Sequence, residues 1–428
     1  MEERTQTRLG RVVAAIFSQK AALIVASLAL LAFWCYWWKL SFEKDHLAGA
    51  PRTWIPRANW LGVDFQSNYH AARYWLAGGN PYKEPYGDPL NRPFIYSPLL
   101  FVLFSWCAKV TAAQAVVIWT SILAVLAGVG ALVASATRRA LGLTPLPIVF
   151  VLACVLLSTP VMFAMERGNC DMLIFLLVLV TAACLRKSSL PRDMVAGGCL
   201  ALAAWIKIYP AVLVLGLFGA RRPRAVLFLG LAYAGIGMMD LQGTSQHYEA
   251  TKAYVGNYDI PFDSSAHPLT THWKHLFEGT RFERLSHLPG PAGTAIVLLP
   301  GLLWATVAMF RCRNRAAMLV PYLLWMTAAA TFAPPVSNDY NLFFLPLAAL
   351  AIWDRRDPLI VHLMMAPLLL WWQPVRMPIG ADLLFIFKLV GLYAVLISLT
   401  VRTRELSQGQ VERETTSAPA PRPLAVAA

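Results

Sequence analysis

Charged residues are scarce in this chain: Asp, Glu, Lys and Arg make up only 14% of its 428 residues. With 57% hydrophobic residues and a mean hydropathy of +0.53, it has too little polar surface for a water-exposed globule of that size. Acidic residues are scarcer still, 23 against 37 Lys and Arg, for a net charge of +14. Nucleic-acid binding would gather those cations on one face, but here they fall in short clusters between apolar runs. The seven cysteines, Cys35, Cys107, Cys154, Cys170, Cys184, Cys199 and Cys312, lack metal-ligand spacing and read as small packing residues. The sequence also has no glycine-rich phosphate loop, nucleophile elbow or long repeat. The ten-residue alternation of a transmembrane barrel is missing as well.

What the chain has in abundance is apolar runs approaching the roughly 20 residues that cross a hydrocarbon core. Backbone groups in lipid must pair within their own segment, so these runs predict an all-α integral membrane protein. The first, Ala21 to Leu40, follows Arg4, Arg8, Arg11 and Lys20 and ends in Trp34, Tyr36, Trp37 and Trp38, an aromatic boundary that suits an anchor with its N-terminus in the cytoplasm. The clusters Arg138–Arg139, Arg186–Lys187–Arg192, Arg221–Arg222–Arg224, Arg311–Arg313–Arg315, Arg355–Arg356 and Arg402–Arg404 alternate with connections holding single cations, Arg167, Lys207 and Arg376. Read by the positive-inside rule, this gives roughly a dozen spans, both termini inside, and outer loops at about residues 41–110 and 241–292. Residues 1–406 form one transmembrane domain, and 407–428 read as a disordered cytoplasmic tail.

Two segments depart from simple crossing. Counting Ser97 to Val110 as a span would put the arginine clusters outside, so it is expected to be juxtamembrane or re-entrant. Val195 to Ala220 has basic clusters at both ends and is expected to be a hairpin of two short helices, with Lys207 and Pro210 partway into the outer leaflet beside a cavity.

The first outer loop carries the densest chemistry: Asp64, Phe65, Gln66, Ser67, Asn68, Tyr69 and His70, then Arg73, Tyr74 and Trp75, then Gly78, Gly79, Asn80, Pro81 and Tyr82. Asp64, placed just before a short helix, is either a helix-terminal carboxylate or a general base for a hydroxyl. In the second loop, His272 and His275 have the spacing of a metal pair, but no carboxylate or cysteine completes a ligand set, and no metal is expected. Its Tyr254, Tyr258, Trp273 and Phe277 suit an interfacial cover or a sugar platform.

Asp64 to Tyr82, followed by Phe94, Tyr96, Ser97 and Pro98, resembles the first outer loop of glycosyltransferase family 87, whose members include mycobacterial phosphatidylinositol-mannoside mannosyltransferases. Glu166-Arg167-Gly168-Asn169 resembles the family's polar turn before a span. Lys207, Tyr209 and Pro210 resemble its Lys-x-x-Pro element, and Ser337 to Asn341 its late polar turn. Where mycobacterial members have a histidine in that turn, this chain has Asn338 and Asp339. The resemblance implies a multi-span bundle of the GT-C class and inverting transfer of a hexose, mannose, from a polyprenyl-phosphate carrier to a lipid or glycan acceptor. It further implies an extracytoplasmic site in the plasma or inner membrane, with no cofactor. Asp64 would be the base, and Arg167 and Lys207 would meet the phosphate. His70, Tyr82, Tyr96, Glu166, Asn169, Asn338, Asp339 and Tyr340 would complete the substrate site. The alternative for the two cations is pairing with Glu166, Asp171 or Asp339. The rival function is a transporter or flippase for envelope glycolipids, although no matching halves with broken helices are evident.

Overall fold

The computed structural model describes residues 20–42, 62–257, 269–288, 290–334, 337–372 and 381–417. Arg376 and the tail after Ser417 lie outside the described residues, as do Tyr258 and residues 43–61 of the first outer loop. The elements in chain order are α1 (Lys20–Phe42), α2 (Val63–Leu76), α3 (Leu99–Leu103), a 3-10 turn at Ser105–Lys109, α4 (Ala112–Ala140), α5 (Ile148–Leu156), α6 (Thr159–Arg167), α7 (Asp171–Leu185) and α8 (Leu190–Ile206). A 3-10 turn at Tyr209–Leu213 leads into α9 (Val214–Gly219), α10 (Pro223–Met239), α11 (Leu241–Asn257) and α12 (Leu269–Phe277). After a 3-10 turn at Glu283–His287 come α13 (Gly290–Arg311) and α14 (Arg315–Ala330). The 3-10 turn Asp339–Phe343 precedes α15 (Phe344–Ile352), α16 (Leu359–Trp372) and α17 (Ala381–Ser417). No strand occurs among the described residues.

Among the described residues, three helices are long and apolar enough to cross a membrane, within Ala112–Ala140, Gly290–Arg311 and Leu383–Gln408. The count rises to five if the bent pairs α5–α6, with a 58° bend, and α10–α11, with a 98° bend, are each one span. The remaining apolar helices, such as α7, α14 and α16, are shorter than a bilayer requires, so the expected dozen is not reached by length and composition. Ser97 to Val110 folds as two five-residue helices, too short to cross at about 1.5 Å per residue. Val195 to Ala220 is broken where expected: α8 stops at Ile206, Lys207 is extended (φ −149°, ψ 143°), and the chain restarts at Tyr209. Helix α17 continues to Ser417, so the first part of the segment expected to be disordered is helical.

Buried apolar side chains from α4, α7, α8, α14, α15 and α17 form one continuous core around Phe175, Tyr322, Trp325 and Phe343. Small residues let the helices approach. Gly197 of α8 meets the α10 backbone, where an added Cβ would lie 2.6 Å from Ala225 O and Leu229 N. Buried and half-buried guanidiniums tie the helix ends that carry the arginine clusters. Arg138 donates to Leu350 O at 2.9 Å and Trp353 O at 2.6 Å, Arg222 donates to Leu185 O at 2.7 Å, and Arg402 pairs with Asp357. Arg138 and Arg222 thereby satisfy carbonyls that a helix C-terminus leaves unpaired. These anchors fix the helices whose opposite ends carry the polar cluster.

Candidate active site

Two turns built on glycine bring distant segments together. Gly62 (φ 72°) caps α2, and its N–H donates to Glu166 O at 2.7 Å. Gly168 (φ 67°) ends α6, and a Cβ there would lie 2.7 Å from Phe65 Cβ and 3.1 Å from Gly62 Cα. Only glycine combines that left-handed backbone with so close an approach. Trp119 of α4 locks the junction: its indole N–H donates to Gly168 O at 2.8 Å, and its ring stacks on Phe65 at 5.4 Å. The first turn of α2 therefore lies against the last residues of α6.

That contact places Asp64 beside Arg167. Asp64 is the second residue of α2 rather than a residue preceding it, and no side chain caps this helix. Its carboxylate instead takes a forked pair from Arg167, Nε to Oδ2 at 3.1 Å and Nη2 to Oδ1 at 2.8 Å. Arg92 Nη1 adds a bond to Oδ1 at 2.8 Å, and Asn169 Nδ2 a longer one to Oδ2 at 3.4 Å. The network continues inward. Lys207 Nζ donates to Asn169 Oδ1 at 3.1 Å and to Asp171 Oδ2 at 3.0 Å, and stands 5.4 Å from the centre of the Tyr340 ring. Asp171 is held from behind by Tyr209 OH at 2.7 Å and by the Asn341 amide. Outward, Arg92 forks onto Asp88, Nη2 to Oδ1 at 3.0 Å and Nε to Oδ2 at 3.2 Å.

Carboxylates and cations balance here, Asp64, Asp88 and Asp171 against Arg92, Arg167 and Lys207. Their exposure does not balance. The cationic side chains keep 25%, 21% and 16% of their surface accessible, whereas the three aspartates keep 5%, 1% and 0%. The accessible face of the cluster is therefore cationic, which suits an anionic group brought up to it. Burial pushes the Asp64 carboxyl up, but the charges and hydrogen bonds of Arg167 and Arg92 outweigh it and hold the group below the usual carboxylate range. Asp88 is held low in the same way by Arg92, against its burial. Asp64 is thus fully ionised at neutral pH, with Oδ2 the less tightly held oxygen.

Of the residues expected at the site, Asp64, Arg167, Asn169, Lys207 and Tyr340 converge. The cations are paired as the alternative reading had it, Lys207 with Asp171, although Arg167 takes Asp64 and not a later carboxylate. Tyr96 is half-buried within the electrostatic reach of Asp64 and Lys207. Asn338 caps the late turn and donates to Tyr340 OH at 3.3 Å. Glu166 is buried, and its carbonyl sets the Gly62 turn. Other expectations are redirected. Asp339 pairs with the buried Lys388 of α17 at 2.6 Å. Tyr82 donates to Tyr96 O at 2.7 Å and packs on Phe94 and Phe101, as an internal brace of the outer loop. His70 lies edge-on to Tyr69 near Asp88 and Arg73, and burial lowers its pKa. His272 stacks on Phe385 at 4.2 Å, and no metal-sized group of His, Cys, Asp or Glu occurs among the described residues. Trp273 and Phe277 pack on each other, and Trp273 also lies against Gly293 of α13, a packing role.

Arg92 and Asp88 were not singled out by sequence, and Asn341 entered only as the last residue of the late polar turn. The available signal was an Asp and an Arg four apart in a proline-rich turn, Asp88-Pro-Leu-Asn-Arg92, which by itself reads as a solvated loop pair.

Together the helices and this cluster define a membrane protein, all-helical among the described residues, whose polar cluster exposes its cations more than its carboxylates. The chain belongs to glycosyltransferase family 87, whose family model matches residues 94–337. The matched segment contains Arg167, Asn169, Asp171 and Lys207, while Asp64, Asp88 and Arg92 precede it. No curated protein and no solved structure matches the chain.

Proposed function

We propose that the protein is an inverting glycosyltransferase that moves a hexose, mannose, from a polyprenyl-phosphate carrier to a lipid or glycan acceptor, using no nucleotide sugar. The observation that carries this reading is the exposure asymmetry: three cations from three segments keep 16–25% of their side-chain surface accessible, while the carboxylates they pair with keep 5% or less. Arg167 and Lys207 neutralise the leaving phosphate, in a setting where fixed charges act strongly because water is excluded. Asp64 receives the acceptor's proton on Oδ2 after the long Asn169 bond yields, and the hydroxyl oxygen bonds to the anomeric carbon as the carbon–oxygen bond to phosphate breaks on the opposite side. The break after Ile206 supports a site at membrane depth, since irregular backbone is tolerated there only beside a lined cavity. The arginine clusters favour a plasma- or inner-membrane protein of GT-C type, with about a dozen spans and the site on the outer face.

The test is transfer of radiolabel by the purified protein from polyprenyl-phosphate sugars to a membrane lipid extract, with no nucleotide sugar present. Labelled product supports the reading. Uptake of label into sealed vesicles without product would replace it with transport.

A further inference from the structure

The chain turns from α9 into α10 on Arg221, whose backbone is left-handed (φ 58°). Its N–H donates to Phe218 O at 2.9 Å and that of Arg222 to Leu217 O at 3.0 Å, the paired bonds of a helix end whose left-handed residue is usually glycine. A side chain is strained at that position, which directs attention to what the side chain does. Arg221 is exposed, its guanidinium carbon 4.1 Å from the centre of the Phe310 ring and its Nη2 donating to Phe310 O at 2.9 Å. That one hydrogen bond, among the described residues, comes from a group with five donors. Gly219 seats α9 on α13, where an added Cβ would lie 3.0 Å from Thr306 O, and so brings this turn to the one between α13 and α14. Residues 216–226 and 309–319 together hold Arg221, Arg222, Arg224, Arg311, Arg313 and Arg315 and no carboxylate. Arg315 stands within electrostatic reach of Arg221 and Arg222, and Asp193 of α8 lies 3.6 Å from Arg222. Leading away from Arg221, the α13 residues Ile296, Leu299, Leu303, Val307 and Phe310 are exposed and recur at the spacing of one helix face. All of this is remote from Asp64 and Lys207: Arg222 holds the last carbonyl of α7, a 15-residue helix that begins at Asp171 and is about 22 Å long.

We propose that this arginine cluster binds the phosphate head group of an anionic membrane lipid, whose acyl chain lies along the exposed stripe of α13. Guanidinium groups give phosphate charge-assisted hydrogen bonds, and Arg221 is held ready for them by its ring and carbonyl contacts. Membrane orientation accounts for the side on which the arginines lie, but not for an arginine where the backbone favours glycine. A free phosphate would answer the charges and leave the apolar stripe unused, so a lipid fits both halves of the surface.

The probe is phosphatidylglycerol, titrated into the whole protein in a neutral detergent and counted on it by native mass spectrometry, with phosphatidylcholine and inorganic phosphate as parallel titrants. The wild type is expected to bind phosphatidylglycerol about tenfold more tightly than phosphatidylcholine, and inorganic phosphate at equal concentration not to displace it. Arg221→Gly suits the left-handed backbone and keeps the turn, so its expected effect is a loss of about tenfold in phosphatidylglycerol affinity, roughly one charge-assisted contact. Arg315→Gln, which leaves that turn untouched, is expected to weaken binding as well. Equal affinity of the wild type for the two lipids, or phosphatidylglycerol affinity unchanged in either variant, overturns the proposal. Displacement by inorganic phosphate overturns the lipid assignment and leaves a small-anion site.

Discussion

Arg167 reaches back 103 positions along the chain to hold both oxygens of Asp64, at 2.8 and 3.1 Å. The fork fixes the carboxylate in position and in rotation, which one point charge could not do. Arg167→Lys should therefore lower kcat by tenfold or more, about 1.4 kcal/mol of transition-state stabilisation, with smaller loss in donor KM. Steady-state transfer at varied donor concentration checks it. An unchanged kcat would mean the fork is packing alone.

The pH dependence follows from the same contacts. Asp64 is held below the ordinary carboxylate range, against the opposing effect of its burial. A base must be unprotonated, so the acid limb of the kcat/KM profile should lie below the ordinary carboxylate pKa of about 3.9. Arg92→Gln removes one of the two charges that lower it, and the limb should move up. For stability the sign runs the same way: a depressed carboxylate contributes above its unfolded value and loses that contribution as pH falls through the folded one. Arg92→Gln should then be relatively less stable than wild type near neutrality, with the gap closing in acid. Tm measured across pH tests the second half of this prediction.

Lys207 and Asp171 give an asymmetric pair of mutants. Asp171 retains Tyr209 and Asn341 when Lys207 is removed, whereas Lys207 loses its counter-ion when Asp171 is neutralised. Asp171→Asn should destabilise by roughly 3 to 5 kcal/mol, the cost of stranding a buried charge. Lys207→Ala should cost less stability and more donor affinity, and Lys207→Arg should not restore full affinity. Thermal unfolding and donor titration of the three variants separate these effects.

Asp339 serves as an internal control. It pairs with the buried Lys388, which predicts a contribution to the fold. Asp339→Asn should lower Tm, and adding Lys388→Met should recover part of the loss, because a hydrophobic replacement of a buried pair is often neutral. If Asp339→Asn kept its Tm while abolishing turnover, the late turn would hold the base.

Much of this arrangement was legible in the chain because bilayer chemistry constrains it strongly. The scarcity of charge announced helices, and the basic clusters flanking Val195 to Ala220 announced the break now seen at Lys207. Cations near the membrane marked Arg167 and Lys207 for the same reason, while Asp64 stood out in the polar first loop and Asn169 through the family resemblance. Pairing was not legible, since no local rule says which cation meets which carboxylate across more than 100 positions. Asp339 looked equivalent to Asp171 in sequence, and only packing sends one to Lys388 and the other to Lys207. Arg92 was hidden by its proline-rich loop, where an Asp and an Arg four apart ordinarily face water.

The account stands on Asp64 as the group that takes the acceptor's proton. General-base assistance is typically worth about 10² to 10⁴-fold, and asparagine at that position keeps the shape but cannot accept the proton. Turnover of Asp64→Asn against wild type, with donor binding and Tm measured on the same preparations, is the direct test. The expected result is a rate loss of about 10² to 10⁴-fold with donor still bound and the fold intact, and with Asp64→Glu also impaired through misalignment. Normal turnover in Asp64→Asn, accompanied by a lowered Tm, would contradict the account and leave Asp64 as a counter-ion for Arg92 and Arg167.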